Sequence, residues 1–369
     1  ADLQLATFSA GGAMTVSLGS GEGTVKLGHH EVNMNVKTFT LDAPNFDGNI
    51  DIYGVSTSGA VTITSGGAGN FSAGSIGSAG AAILDFSNKE SAATVTLTNI
   101  SANSVLLTIG GTTAALTLGA VQVTSTGTTG NNFTLDGTNA AGNIDISAVT
   151  ASGNITITMG GAGSLSADSL FALGNITIDN STSTTGRIVS KALSASGAIT
   201  INAGNTTGGN TFSFSSIATE SNFTMNATGV NTDMNFDHVT AAGNFTLYNG
   251  GTGSLTMGST MIIGKAMDLD VFLGNDGSNE EVLTLEHIET SGDLSVTLLG
   301  GTGAIVASSL NAGATFSLDT TLSTEATTGH DIEHISASAV SITMGTSDSL
   351  AVSAFLVGAG GATIANSGS

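Results

Sequence analysis

One register recurs eight times along this 369-residue chain, and that recurrence constrains the fold more than any other feature. The segments Phe39-Thr-Leu-Asp42, Ala82-Ile-Leu-Asp85, Phe133-Thr-Leu-Asp136, Ile176-Thr-Ile-Asp179, Phe223-Thr-Met-Asn226, Met267-Asp-Leu-Asp270, Phe316-Ser-Leu-Asp319 and Ala362-Thr-Ile-Ala365 align with one another. Their starts lie 43 to 51 residues apart, about 46 on average. Each unit has two halves. The first reads F-T-L-D, a loop, G-N-I-D-I, then A-V-x-A-S-G; the second reads N-I-T-I-T, G-G-A-G, then S-L-S-A. Residues 133–170 carry both.

Within each half, short segments alternate apolar with small polar residues, as in Ile155-Thr-Ile-Thr158 and Ser164-Leu-Ser-Ala167. Period-two alternation rich in Val, Ile, Thr and Phe is a strand pattern, and the Gly and Asn between segments mark turns. No window shows a capped 3.6-residue stripe. Three strands per half of about 23 residues describe one coil of a parallel β-solenoid. The expected fold is therefore all-β, a single right-handed parallel β-helix of about 16 coils in one domain, residues 1–369. At about 4.8 Å per coil it would be a rod of roughly 75 Å. A β-sandwich would not explain the recurring register.

The two ends belong to the same type of coil. Ala362 to Ser369 aligns with Phe133 to Ala140, and Ala1 to Gly12 aligns with Gly142 to Gly153. Neither end reads as a polar cap of the kind solenoids use to cover open strand edges. The expectation is a head-to-tail contact that completes the split coil, with Leu3, Leu5, Phe8 and Met14 of one copy meeting Phe355 and Ile364 of the next. Such a contact generates a filament. A fragment of a longer surface protein is the alternative reading, and the start at Ala1-Asp2 fits a processed or excised chain.

Composition narrows the function. With 6 Lys and Arg against 28 Asp and Glu, the formal charge is −22, so no basic surface exists to meet nucleic acid or anionic lipid. No apolar run is long enough for a membrane-spanning helix. Zero cysteines exclude disulfides and thiolate metal sites. The runs Gly66-Gly-Ala-Gly69, Gly160-Gly-Ala-Gly163, Gly250-Gly-Thr-Gly253 and Gly300-Gly-Thr-Gly303 lack the lysine and helix of a phosphate loop and mark a corner of the coil.

Several residues remain as candidates. Asp42, Asp85, Asp136, Asp179, Asp270 and Asp319 close the first strand of successive units. They read as turn residues, with a calcium column as the competing assignment and no other cofactor expected. His238, His287 and His334 share one repeat position, and His330 and His334 are expected on one side of a strand, as part of a surface ladder or, less readily, a metal site. N-x-S/T sequons occur at Asn70, Asn99, Asn132, Asn154, Asn175, Asn180, Asn205, Asn222, Asn226 and Asn244; they are candidate glycosylation sites or products of a G-N-[IF]-T turn. With one arginine and few aromatics, no catalytic carbohydrate groove is visible, and a β-helix enzyme is the remote reading.

Units such as Ala151-Ser-Gly-Asn-Ile-Thr-Ile-Thr-Met-Gly-Gly-Ala-Gly-Ser-Leu-Ser-Ala167 resemble the repeats of filamentous-haemagglutinin-type adhesins. The cysteine-free Gly/Thr/Ala/Asn bias also resembles bacterial surface-layer proteins. The resemblance implies an exported structural or adhesive protein at the cell surface. Together these features lead to a secreted protomer whose partner is itself, with an adhesin stalk as the alternative and surface or matrix glycans as further candidate partners.

Overall fold

A computed structural model describes residues 2–6, 9–28, 34–90, 93–111, 115–124, 131–183, 185–204, 212–227, 229–262, 266–273, 281–322, 329–345 and 348–366. Among these residues there are 29 strands and no helix. The chain divides into two units, Ala1–Gly186 and Arg187–Ser369. Each is a parallel β-solenoid, with about 14 turns in all against the 16 predicted.

In the first unit the path alternates a long strand with a short one. Phe133–Gly137 is followed by Ile144–Ala151, Ile155–Met159, Leu165–Ala172 and Ile176–Asn180. Each strand pairs in parallel with the one a full coil later, Phe133 beside Ile155 and Ile155 beside Ile176. The second unit repeats this, with Ile199 beside Phe223 and Phe223 beside Phe245. The three strands expected per coil appear as two, because the long strand is bent. In Ile144–Ala151 the inward residues are Ile144, Ile146, Val149 and Ala151, and two successive residues, Ser147 and Ala148, stay outside at the bend. That slip in the alternation turns a corner without ending the strand.

The parallel register stacks like residues into ranks. Phe39, Val61, Ala82, Val105, Phe133, Ile155 and Ile176 form one rank in the first unit, and all are buried. Beside it runs a second buried rank of Leu41, Ile63, Leu84, Leu107, Leu135, Ile157 and Ile178. Apart from Ala82, each such side chain contributes about 1.5–3 kcal/mol by leaving water. Glycines let successive corners touch: a Cβ on Gly161 would run into the Ala140 carbonyl, and one on Gly251 into the Val230 carbonyl. The repeated G-G-x-G runs are thus corners of close backbone approach.

Lys89 is an exception to the apolar interior, buried at 2% exposure. Its Nζ donates to the carbonyls of Gly66 (3.0 Å) and Gly69 (2.6 Å), bracing a corner. In the second unit the amide of Asn249 makes a similar bond to Gly253 O (3.3 Å). Burial disfavours the ammonium and holds Lys89 down at about 8 against an ordinary 10.5, while the Asp47 carboxylate opposes the shift. Between those values the unfolded chain keeps a proton that the folded one has lost, so stability rises as pH climbs through that window. The urea midpoint of the wild type should therefore gain on that of Lys89→Met as pH rises from about 8 to 10.5. A constant difference would mean that the ammonium is not linked to folding.

Candidate functional site

The strand Leu350–Asn366 is the last described element of the second unit, and the register shows what it leaves open. On the strand His330–Met344 the residues Ile332, Ile335, Val340 and Ile342 are buried. Their partners one coil on are Val352, Phe355, Ala362 and Ile364. In that last coil the same ranks face solvent, Phe355 at 39% and Ile364 at 64% exposure. They border a groove of about 310 Å³ lined by Ile342, Met344, Asp348, Leu350, Val352 and Ile364, the Asp348 side chain itself being buried. Among the described pairings this strand bonds on one side only, to His330–Met344.

The first unit begins with a complementary edge. Leu3 and Leu5 stand beside Val25 and Leu27, and Met14 and Val16 beside Phe39 and Leu41. Leu3 is 37% exposed and Leu5 half-buried. Met14, expected to be open for contact, is already buried at 7%, and Val16 beside it at 9%. Between Ala10 and Ala13 the register slips at Gly11 and Gly12. Phe8 lies outside the described residues.

The repeat maps Leu3 onto the rank of Leu350, Leu5 onto Val352, Met14 onto Ala362 and Val16 onto Ile364. A coil like the first, laid on the last in continued register, would therefore set Leu3 over Leu350 and the larger Met14 over the smaller Ala362.

The aspartates occupy one outward column and alternate strictly with threonine: Asp42, Thr64, Asp85, Thr108, Asp136, Thr158, Asp179. Four of them turn back on their own chain. Asp85 Oδ1 accepts the Ser87 N–H (2.9 Å), Asp136 Oδ1 the Thr138 N–H (3.1 Å) and hydroxyl (2.6 Å), Asp179 Oδ1 the Ser181 N–H (3.0 Å), and Asp319 Oδ1 the Thr321 N–H (2.9 Å). These are Asx turns. Asp270 keeps its place beside Tyr248, and its side chain lies outside the described set. Among the described residues no three His, Asp or Glu side chains converge as metal ligands would.

His238, Ser259, His287, Ser309, His334 and Ala354 form one outer column, histidine in alternate coils. His330 departs from expectation. The alternation slips at the bend between Glu333 and His334, so His330 points inward and His334 outward, and the two cannot share a ligand. His330 is buried at 2% and its Nδ1 accepts the Ile305 N–H (3.2 Å). Its Nε2 lies 3.7 Å from Asp348 Oδ2, which accepts the Thr320 hydroxyl (2.6 Å). Sequence reasoning missed this cluster. The available signal was a histidine in a rank that otherwise holds Leu283, Ile305 and Leu350.

The sequon asparagines include a ladder that binds coil to coil. Oδ1 of Asn70 accepts the Thr94 N–H (2.9 Å), that of Asn132 the Asn154 N–H (2.8 Å), that of Asn154 the Asn175 N–H (2.8 Å) and that of Asn222 the Asn244 N–H (2.9 Å). Asn180 is buried and donates to Gly186 O (3.0 Å). Asn99 and Asn226 face outward on their strands, and Asn205 lies outside the described residues.

No protein-family model matches the sequence, and no curated protein or solved structure matches the chain.

Proposed function

We propose that this chain is an extracellular structural protein whose copies stack head to tail, the first coil of one covering the last coil of the next. The observation that carries this reading is the last described coil, where Phe355 and Ile364 are exposed and Leu350 and Val352 half-buried in ranks that are buried one coil earlier, on a strand that pairs on one side only among the described pairings. A coil of matching register satisfies both needs at once, since it supplies main-chain partners for the edge and apolar partners for the groove. The first coil of a second copy has that register. A contact between unlike ends repeats without closing, and so builds a filament. An acidic, cysteine-free repeat chain suits service outside the cell as a structural element.

The −22 charge opposes association, and salt screens such repulsion within about 10 Å at 0.1 M. In sedimentation velocity at micromolar concentration, residues 1–369 should form a ladder of end-joined species that lengthens with protein concentration and with salt. A single monomeric boundary at every concentration and salt would refute the reading. It would favour a stalk whose last coil is covered by other chain.

A further inference from the structure

We infer that His330 is a proton-operated latch on the terminal coil, so that mild acid loosens the face on which end-to-end stacking depends. The inference deepens the stacking reading and rests on it for its consequence, but the latch itself is a property of the single chain.

A main-chain rung is missing beside His330. In this solenoid the residue that opens the inward rank of a long strand donates its N–H to the carbonyl just before its register partner in the next coil. Phe212 donates to Asp233 O (2.9 Å), Met234 to Ser254 O (2.8 Å) and His330 to Ser349 O (2.7 Å). For Ile305 the equivalent acceptor would be Gly329 O. Gly329, however, sits at φ +73°, outside strand geometry, and the Ile305 N–H goes instead to His330 Nδ1. An imidazole side chain has taken over a rung of the wall between the two coils below the groove.

A ring nitrogen accepts only while it carries no proton. The structure therefore requires the neutral tautomer with hydrogen on Nε2. Protonation would put an N–H on Nδ1 against the Ile305 N–H, donor facing donor, and the rung would be lost. The ring cannot swing into water, because its side chain has 0% exposure. Asp348 is the carboxylate that faces it, and the Thr320 hydroxyl already holds that carboxylate, while Thr320 Oγ1 accepts the Gly345 N–H (3.3 Å). Asp331 and Glu333 on the same strand point outward, and His334 lies beyond the bend. Asp319 at the end of the preceding strand caps its own turn, and Leu350–Asn366 carries no titratable side chain. Desolvation accordingly lowers the His330 pKa below its usual 6.5, with Asp348 opposing the shift. An unfolded or locally opened chain takes up the proton first, so the contribution of neutral His330 to stability begins to fall as pH drops through 6.5 and is gone below the depressed folded value.

The same network links the latch to the groove. Asp348 lines the groove wall, and the neighbouring Ser349 carbonyl accepts the His330 N–H. A loosened His330 thus releases Asp348 and Ser349, which lead into Leu350.

Hydrogen exchange of the full chain, measured in dilute solution at neutral and mildly acid pH and corrected for intrinsic rates, reads the latch without any stacking. Exchange in peptides covering 305–310 and 330–366 should rise about tenfold on acidification, while the first unit stays unchanged. His330→Leu, which restores the aliphatic residue of its rank, should remove that response. If the leucine variant does not fold, Asp348→Asn serves instead, since loss of the carboxylate opposing desolvation should deepen the acid response. An unchanged exchange rate in the wild type, or an equal acid response in His330→Leu, would overturn the latch. Sedimentation of the same samples at higher concentration separates the two ideas. An acid-sensitive segment in a chain that never associates at neutral pH would sink the stacking reading and leave the latch standing.

Discussion

Replacing Leu350 and Ile364 together by aspartate is expected to abolish end-to-end association while leaving the monomer folded. Ile364 is exposed and Leu350 half-buried on this coil, so within one chain neither substitution fully buries a charge. In a stacked pair the two carboxylates would be enclosed beside Leu3 and Val16 of the next copy with no cation to meet them; this chain has only 6 Lys and Arg. Enclosing an uncompensated charge costs about 3–5 kcal/mol, and every 1.4 kcal/mol is tenfold in affinity. At least a hundredfold weakening is therefore the expected reading in sedimentation, with circular dichroism and urea midpoint close to wild type. Ile342→Asp, one coil earlier and buried, is the contrasting case and should impair folding itself.

Phe223→Ala is expected to be the most damaging single truncation in the second unit. Phe223 is fully buried, its ring stacks on Phe245 at 4.8 Å and 15°, and it meets Phe236 edge-on at 6.2 Å. Deleting the ring removes about 3–5 kcal/mol through lost transfer energy and the cavity left behind. In a solenoid each coil touches only its neighbours, so the loss should be local. Hydrogen exchange should accelerate in Ile199–Ala203, Phe223–Ala227 and Phe245–Asn249, while coils in the first unit keep their protection. Uniform acceleration across the chain would show that cooperativity extends further than coil-to-coil contact provides.

The sequence made the inward ranks readable because a strand has a period of two and the repeat has one register. Phe39, Phe133 and Phe223 could each be placed on the inside without any coordinates. The bend in the long strand was not readable. Two outward residues in succession, as at Ser147 and Ala148, look like weak alternation in a line of text, and only the pairing shows that the strand continues through them. The same slip moved His330 to the inside and His334 to the outside. The asparagines of the G-N turns read as sequons, whereas their side chains reach main-chain N–H groups about 21 to 24 residues away, a contact between coils that no local pattern encodes. Lys89 was silent for a related reason: it is buried by the corners of neighbouring coils, and its own neighbours in sequence resemble an ordinary exposed turn. The proposed stacking face lay between these cases. Its ranks followed from the repeat, but the repeat did not show that Met14 is buried at 7% within the single chain.

Cross-linking tests the stacking most directly, because the native chain contains no cysteine. Two single variants, Leu5→Cys and Val352→Cys, are mixed under mild oxidation and run on a non-reducing gel. Continued register places these positions on neighbouring coils about 4.8 Å apart, within the span a disulfide accepts. The account predicts a mixed dimer of the two variants, absent when Leu5→Cys is replaced by the outward-facing Gln4→Cys. Failure of the Leu5–Val352 pair to cross-link at concentrations where the chain associates would contradict the end-to-end register, and equal cross-linking from position 4 would contradict it as well.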